Sequence, residues 1–421
     1  MKPDYKPRRV VVTGLGAIAA NGSDTGSYWS ALKKGVSGIG PITQFDSGLY
    51  PSKQAFEVKN FDPTVYMEKK ESRRIDRYAQ FAIGASAQAL KESGLDLTKV
   101  DLDRVGVIVG SGIGGFHTLE EEHTTLVLKG PGRVSPFIIP MLIINLAAGL
   151  VGIRWKFRGP NMAAVTACAS GAHAIGTAAR IIERGDADVM LAGGAEAAIT
   201  PLGYSGFCNM GALSTRNDEG AAACCPFDAR RDGFVMGEGS GMVALESLDH
   251  ALARGANIIA ELVGFGYSAD AHHMTAPDPE GRGAALAMRL CLKDSGMNPG
   301  DVEYINAHGT STQLNDKCET MAIKEVFGDH ARKVKVSSTK SMIGHTLGAS
   351  GALEFVAITL AVRDGFIPPT INYAKPDPVC DLDYTPNTGV ARDIKVALSN
   401  SFGFGGQNAV LMVKKWEKTS S

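Results

Sequence analysis

One cysteine and two histidines carry the chemistry this chain can offer. Cys168 stands among small residues in Ala164-Val165-Thr166-Ala167-Cys168-Ala169-Ser170-Gly171-Ala172-His173. The histidines lie far downstream, each beside glycine, in Asn306-Ala307-His308-Gly309-Thr310 and Lys340-Ser341-Met342-Ile343-Gly344-His345-Thr346. A thiol on a sharp turn into a helix, with two imidazoles in reach, is equipped for acyl-thioester chemistry. Taken singly, a buried cysteine is by default an inert small hydrophobe and a lone histidine a satisfied structural residue, so the case rests on the three together. A residue just ahead of a buried helix faces the positive end of the helix dipole and unsatisfied N–H groups. That end is worth up to about 2 kcal/mol, or about 1.5 in pKa, and favours the thiolate, while burial opposes it. The same N–H groups can hold an oxyanion, each typically contributing about 3 to 4 kcal/mol in the transition state.

With 44% hydrophobic and 21% charged residues among 421, the chain has ample material for a core and reads as an ordinary globular protein. Lys plus Arg number 43 against 44 Asp plus Glu, so nothing electrostatic points to nucleic acid or an anionic membrane. An acidic partner has to be met by a local basic patch. Cys168, Cys208, Cys224, Cys225, Cys291, Cys318 and Cys380 include no C-x-x-C pair and are odd in number, which argues against a disulfide framework or a zinc site and for a reducing compartment. Arg8-Arg9 followed by an apolar run imitates a signal peptide but reads better as a first buried strand. Gly14-Leu15-Gly16 lacks the third glycine of a dinucleotide loop, because position 19 is Ala19. His272-His273 has neither helical nor strand ligand spacing and reads as a solvated loop. No cofactor and no metal are expected.

Internal repetition says how the reactive residues are positioned. Val12-Thr13-Gly14-Leu15-Gly16 echoes Leu262-Val263-Gly264-Phe265-Gly266, and Leu90-Lys91-Glu92-Ser93-Gly94 echoes Leu292-Lys293-Asp294-Ser295-Gly296. Ala169-Ser170-Gly171-Ala172 echoes Ala349-Ser350-Gly351-Ala352, with the same spacing to a closing glycine at Gly185 and Gly365. Length alone would suggest about three domains of roughly 150 residues; the repeats give two related halves instead, residues 1–258 with the cysteine and 259–421 with both histidines. Apolar β-branched runs alternate with helical stretches near 76–92, 171–184, 283–294 and 350–363, an α/β pattern. The helices after Gly171 and Gly351 are apolar nearly all round and rich in small residues, so they are expected packed against each other between two sheets.

These residues resemble the β-ketoacyl-acyl-carrier-protein synthases, above all the elongating enzymes of type II fatty acid synthesis. The resemblance spans the opening strand, the cysteine turn, Asp186 to Glu196, Pro226-Phe227-Asp228 with Arg231-Asp232-Gly233-Phe234-Val235-Met236-Gly237-Glu238-Gly239, both histidine motifs, and Asn400-Ser401-Phe402-Gly403-Phe404-Gly405-Gly406-Gln407-Asn408. It implies a thiolase-like five-layered α-β-α-β-α fold built from two duplicated halves, working as a homodimer in the cytoplasm. It implies that Cys168 takes an acyl group from acyl carrier protein, and that His308 and His345 promote decarboxylation of malonyl carrier protein to give a 3-oxoacyl product two carbons longer. By the same likeness Lys340 and Glu354 are a buried pair organising His308, although exposed charges are the commoner case. The N–H groups of Cys168 and Phe404 form the oxyanion hole, with Phe404 a gate. Thr310 and Thr312 hold the pantetheine arm; Ile113, Phe207 and Phe402 line the acyl pocket; and Lys69, Lys70, Arg73, Arg74 and Arg133 form a docking patch for the acidic carrier. Ala169 and the Ala221-Ala222-Ala223-Cys224-Cys225 stretch depart from the family pattern, as does the run Cys208-Asn209-Met210 beside the expected pocket. A polyketide-type ketosynthase, a non-decarboxylating thiolase, and a non-catalytic chain-length or carrier-binding partner are the alternatives; the last would lack the nucleophile, and the thiolases lack the paired histidines.

Overall fold

The computed structural model describes residues 6–417. Ten strands carry the architecture: β1 Val10–Ile18, β2 Val105–Gly110, β3 Asn161–Ala164, β4 Val189–Glu196, β5 Gly239–Ser247, β6 Ala260–Ala269, β7 Tyr304–Asn306, β8 Lys335–Ser337, β9 Val396–Gly403 and β10 Gln407–Lys415. Six helices pack on them: α1 Arg77–Ser93, α2 Leu146–Trp155, α3 Ser170–Arg184, α4 Arg282–Ser295, α5 Gln313–Phe327 and α6 Ser350–Asp364. The four helices expected from the sequence are α1, α3, α4 and α6, each within a residue or so of its expected ends.

The strand order is β8-β7-β9-β10-β6-β1-β5-β4-β2-β3. From the centre outward, each five-stranded half runs antiparallel, antiparallel, parallel, parallel. The halves meet where Val10, Val11 and Val12 pair antiparallel with Leu262, Glu261 and Ala260, so the repeat seen in the sequence is a mirrored order about that junction. Nothing in the sequence announced that the two sheets join into one hydrogen-bonded ladder.

Period-2 alternation in the strands feeds three separate cores. Val105, Val107 and Val109 face α1 with Phe81, Ala85 and Ala89, whereas Ile108, Met190 and Ala192 face inward with Ala172 and Ile175 of α3. In the other half Val410 and Met412 face α4 and α5, and Leu411 and Val413 face inward with Phe355 of α6. The result is five layers, with α3 and α6 in the middle. Glycine sets the approach distances. A Cβ on Gly14 or Gly16 would lie 2.0 or 1.9 Å from a carbonyl oxygen of α1, and on Gly266 2.1 Å from one of α4. On Gly171 it would lie 2.9 Å from Gly348 O, and on Gly351 2.8 Å from the Ala172 Cβ, so the two central helices touch at their first turns.

Each central helix is entered through the same turn. A short 3-10 segment, Ala167–Ala169 or Leu347–Ala349, precedes it, and its first residue is left-handed in both: φ is +49° at Ala167 and +47° at Leu347. Non-glycine residues adopt this region at a cost of about 1 to 3 kcal/mol. The two elbows meet near the middle of the molecule and bring the first half's sulfur to the second half's imidazoles.

Candidate active site

Cys168 lies in the first elbow, 7% exposed. Thr166 N donates to Ser170 Oγ (2.9 Å), and that hydroxyl donates to Ala167 O (2.7 Å), closing the turn. The N–H groups of Cys168 and Phe404 both favour a negative charge on the sulfur. A Cβ on Gly403 would lie 2.5 Å from Thr166 O, which is how the 403–404 backbone comes so close. Burial pushes the thiol up to about 12, against the pull of the Lys340 charge and the two N–H groups, while Glu196 adds to the rise. The helix dipole is outweighed by an apolar ring of Ile199, Leu213, Phe234 and Leu347, with Ile113 and Phe207 at its edge; burial wins, and the resting sulfur is a thiol.

His345 Nε2 is 3.1 Å from the sulfur. Leu347 N–H donates to His345 Nδ1 at 3.3 Å, and Ser350 Oγ lies 2.9 Å from the same nitrogen. A backbone N–H only donates, so Nδ1 is the acceptor and the ring proton sits on Nε2. His308 is set the same way by a different group: Lys340 Nζ, which has only protons to give, lies 3.4 Å from His308 Nδ1. The rings are 5.3 Å apart and nearly perpendicular, and both line the cavity that reaches the sulfur. Burial and the Lys340 charge hold both imidazoles well below the usual histidine range, and His345 adds to this at His308.

Lys340 and Glu354, ordinary surface charges by type, are wholly buried and form an ion pair with each other. Burial pushes the Glu354 carboxyl up to about 7 against the pull of Lys340. Two further buried carboxylates shape the site. Glu319 accepts from His308 N and Gly309 N (both 2.8 Å) and from Asn400 Nδ2 (2.9 Å), fixing the first histidine's loop. Glu196 accepts from the 112–114 loop and from Gly348. Neither was singled out in the sequence, because a carboxylate satisfied by backbone N–H groups has no partner residue to betray it. Cys224, within the departing stretch, donates its thiol to Lys340 O at 3.1 Å and so packs directly behind the lysine.

A cavity of about 530 Å³ opens from the sulfur to the surface. Ile113, Phe207, Phe402 and Phe404 line it with Thr310 and Thr312. Phe404 stands 6.4 Å from Phe207, ahead of Gly405 and Gly406 at φ +83° and +73°. Thr310 and Thr312 share a 2.9 Å hydroxyl contact. Thr312 stands at the N-cap position of α5, yet its side chain makes no capping bond, so ordinary turn capping does not explain it. Lys69, Lys70, Arg73, Arg74 and Arg133 are all exposed, and Arg74 stacks on Phe137 at 4.5 Å, joining the two segments that carry them. His272 and His273 are exposed, as expected. Among the described residues no group of three or more His, Cys, Asp or Glu could hold a metal ion. The oxygens Asn306 Oδ1, Glu354 Oε2, Ser399 Oγ, Asn400 Oδ1 and Ser401 Oγ are buried without a hydrogen-bond partner.

The family models for the N-terminal and C-terminal domains of beta-ketoacyl synthase match residues 7–251 and 259–374. Over 414 residues the chain is 53% identical to the 3-oxoacyl-acyl-carrier-protein synthase 2 of Synechocystis sp., covering 98% of this chain and 100% of that protein. It is 51% identical over 408 residues to the protein of the same name from Coxiella burnetii, covering 97% and 99%. Among solved structures it resembles a type II PKS ketosynthase in complex with its acyl-carrier protein and bound to the hexaketide, at 37% identity and TM-score 0.91, covering 98% of this chain and 100% of that one. A beta-ketoacyl synthase from Burkholderia phymatum is similar at 35% identity and TM-score 0.90, covering 97% and 100%. With both domain models matched in order along one chain, and the likeness running nearly end to end, this protein belongs to the beta-ketoacyl synthase family.

Proposed function

We propose that the chain elongates fatty acyl chains by decarboxylative condensation, with Cys168 as nucleophile and His308 and His345 as paired hydrogen-bond donors. In the first half-reaction the thiol attacks the thioester carbonyl of an acyl carrier protein. The Sγ–C bond forms, the bond to the pantetheine sulfur breaks, and the thiol proton leaves with the pantetheine thiol. The transient oxyanion is held by the Cys168 and Phe404 N–H groups. In the second, Thr310 and Thr312 hold the arm of malonyl carrier protein, and its thioester carbonyl accepts from both Nε2–H groups. The carbon–carbon bond to the carboxylate breaks, carbon dioxide leaves, and the electron pair becomes an enolate whose oxygen those donors stabilise. The enolate carbon attacks the acyl-cysteine, the C–Sγ bond breaks, and Cys168 leaves as thiolate and takes a proton from solvent to return to the thiol.

The single observation that carries this reading is the 3.1 Å contact of His345 Nε2 with the sulfur, beside a second imidazole that lines the same cavity. Neutral rings suit the step: an imidazolium would ion-pair with the malonyl carboxylate and stabilise the state that must lose its charge. The fatty acid reading is favoured over a polyketide one because relatives at 51% to 53% identity are 3-oxoacyl-acyl-carrier-protein synthases 2, whereas the type II PKS ketosynthase lies at 37%. The intact nucleophile disfavours a non-catalytic partner.

The reading extends to the assembly. The basic patch at 69–74 and Arg133 docks an acidic carrier protein. A second copy covers the free edge of β3, where Met162 and Val165 are 42% and 53% exposed and Ile153 is 73% exposed on α2, since an open apolar edge strand is a liability. The two halves divide at residues 1–258 and 259–421, in keeping with the mirrored strand order. Seven free cysteines suit a cytoplasmic setting, and no helix among the described residues is long and apolar enough to cross a membrane. Mass spectrometry after incubation with acyl carrier proteins of graded chain length tests the core of the reading. An acyl adduct on Cys168, absent from Cys168→Ala and discharged by malonyl carrier protein into a product two carbons longer, is expected. An adduct elsewhere, or condensation by Cys168→Ala, would overturn it.

A further inference from the structure

Glu196 ends β4, is wholly buried, and belongs to neither the nucleophile nor the donor pair. Five donors converge on its two oxygens. Oε1 accepts from Ser111 Oγ (2.7 Å), Ile113 N (3.2 Å) and Gly114 N (3.3 Å). Oε2 accepts from Gly112 N (2.7 Å) and Gly348 N (2.9 Å). One carboxylate thus ties the loop that carries the pocket residue Ile113 to the second elbow, across the two halves of the chain. At that elbow Leu347 is held in the left-handed region, and Leu347 N–H is the group that donates to His345 Nδ1. The backbone of His345 itself is held from elsewhere, by Val235 O and Gly237 N. Ala349 N closes the turn on Thr346 O (3.0 Å), and the bond from Gly348 to Glu196 is what anchors that turn to the other half of the chain. There is little slack: a Cβ on Gly348 would lie 2.7 Å from Glu196 Oε2 and 2.3 Å from Gly112 N.

We propose that Glu196 is a positioning residue that sets the tautomer of His345, by clamping the Leu347–Ala349 turn so that its N–H stays on Nδ1 and the ring proton stays on Nε2. The inference rests on the condensing reading for its consequence, since only a proton on Nε2 faces the substrate. The clamp itself is a property of the free protein. Burial raises the Glu196 carboxyl above its ordinary range, and the bonds from Ser111, Gly112, Gly348 and Ile113 oppose that rise. A glutamine has one acceptor oxygen and turns an NH2 towards backbone N–H groups that cannot accept it, so Glu196→Gln leaves one side of the clamp open.

The test is the ¹⁵N spectrum of the histidine rings, with His345→Ala supplying the assignment, alongside decarboxylation of malonyl carrier protein and acyl transfer to Cys168. In the wild type, Nδ1 of His345 is expected unprotonated and Nε2 protonated. In Glu196→Gln the two forms mix, and kcat for decarboxylation falls about 10- to 100-fold more than the rate of acyl transfer to Cys168 does. A merely structural role would depress every step of the folded enzyme together and leave the ring pattern alone. Should the amide variant not fold, Glu196→Asp, which keeps the charge but retracts it by one methylene, is expected to give the same mixed ring signal. A folded variant with the wild-type ring pattern, or with unchanged decarboxylation, overturns the clamp. Wild-type protein that does not decarboxylate malonyl carrier protein overturns the condensing reading instead, and the ring spectrum still decides the clamp.

Discussion

Lys340 offers the sharpest test of how the imidazoles are kept neutral. Were His308 protonated, two positive charges would stand 3.4 Å apart. At an effective dielectric of about 20 their repulsion is about 5 kcal/mol, which corresponds to about 3.5 in pKa. Lys340→Met removes that repulsion and also the donor that holds Nδ1. Glu354, already up at about 7 with the ammonium beside it, rises further once the ammonium is gone and takes up a proton, so from neutral pH downward the variant buries no lone charge. The His308 pKa then climbs towards the ordinary value of about 6.5, with burial still restraining it. The step needs a neutral ring, so activity is lost as pH falls through the raised pKa. Carbon dioxide release from labelled malonyl carrier protein, followed from about pH 9 to about pH 5, is expected to be flat on its acid side in the wild type. The variant is expected to fall away below about pH 6.5 and to run about tenfold slower even on the plateau, where its tautomer is no longer fixed. Acyl transfer to Cys168 serves as the control and should hardly move. A variant profile that superimposes on that of the wild type would refute the argument that the buried cation keeps His308 neutral.

His308→Ala and His345→Ala are each expected to lower decarboxylation by about 100-fold or more while leaving burst acylation of Cys168 comparatively intact; equal loss of both half-reactions, read by quenched-flow mass spectrometry, would show that the division of roles is wrong. Glu246, buried on β5, has a carboxyl that burial pushes up but that donors from Arg254, His250 and Thr13 together hold down at about 2. Against an ordinary 4.5, that depression contributes about 3 kcal/mol. It is fully present above pH 4.5 and is lost as pH falls towards 2. Urea unfolding should therefore show Glu246→Gln less stable than wild type near pH 7, with the gap closing in acid; a gap independent of pH would mean the ionic contacts do not set it.

The duplicated architecture was legible because it is written in glycine. Gly14, Gly16, Gly264 and Gly266 recur where an outer helix must lie against a strand with no room for a side chain, and such steric requirements survive as sequence echoes. The reactive trio was legible for a similar reason, since an elbow among small residues has few other uses. What stayed hidden depends on surroundings rather than on residue type. By residue type alone Lys340 and Glu354 read as surface charges, and only the family likeness placed them inside. Glu196 and Glu319 work through backbone N–H groups, which every residue but proline has. The thiol's direction of titration turned on a ring of apolar side chains gathered from distant segments, a quantity no local stretch contains. The junction of β1 with β6 escaped for the same reason, being three residues of backbone pairing with no side-chain signature.

The twin elbows have a consequence for what this chain can become. Both copies keep the left-handed entry, at Ala167 and Leu347, yet the position matching Cys168 in the second copy is Gly348, where even a methyl group would run into Gly112 and Glu196. One copy spends its bent backbone on presenting a sulfur; the other, relieved of that task, lends its N–H to a histidine ring. The likeness of the two elbows has been broken by packing, so Gly348→Cys would find no room to present a second sulfur at that turn.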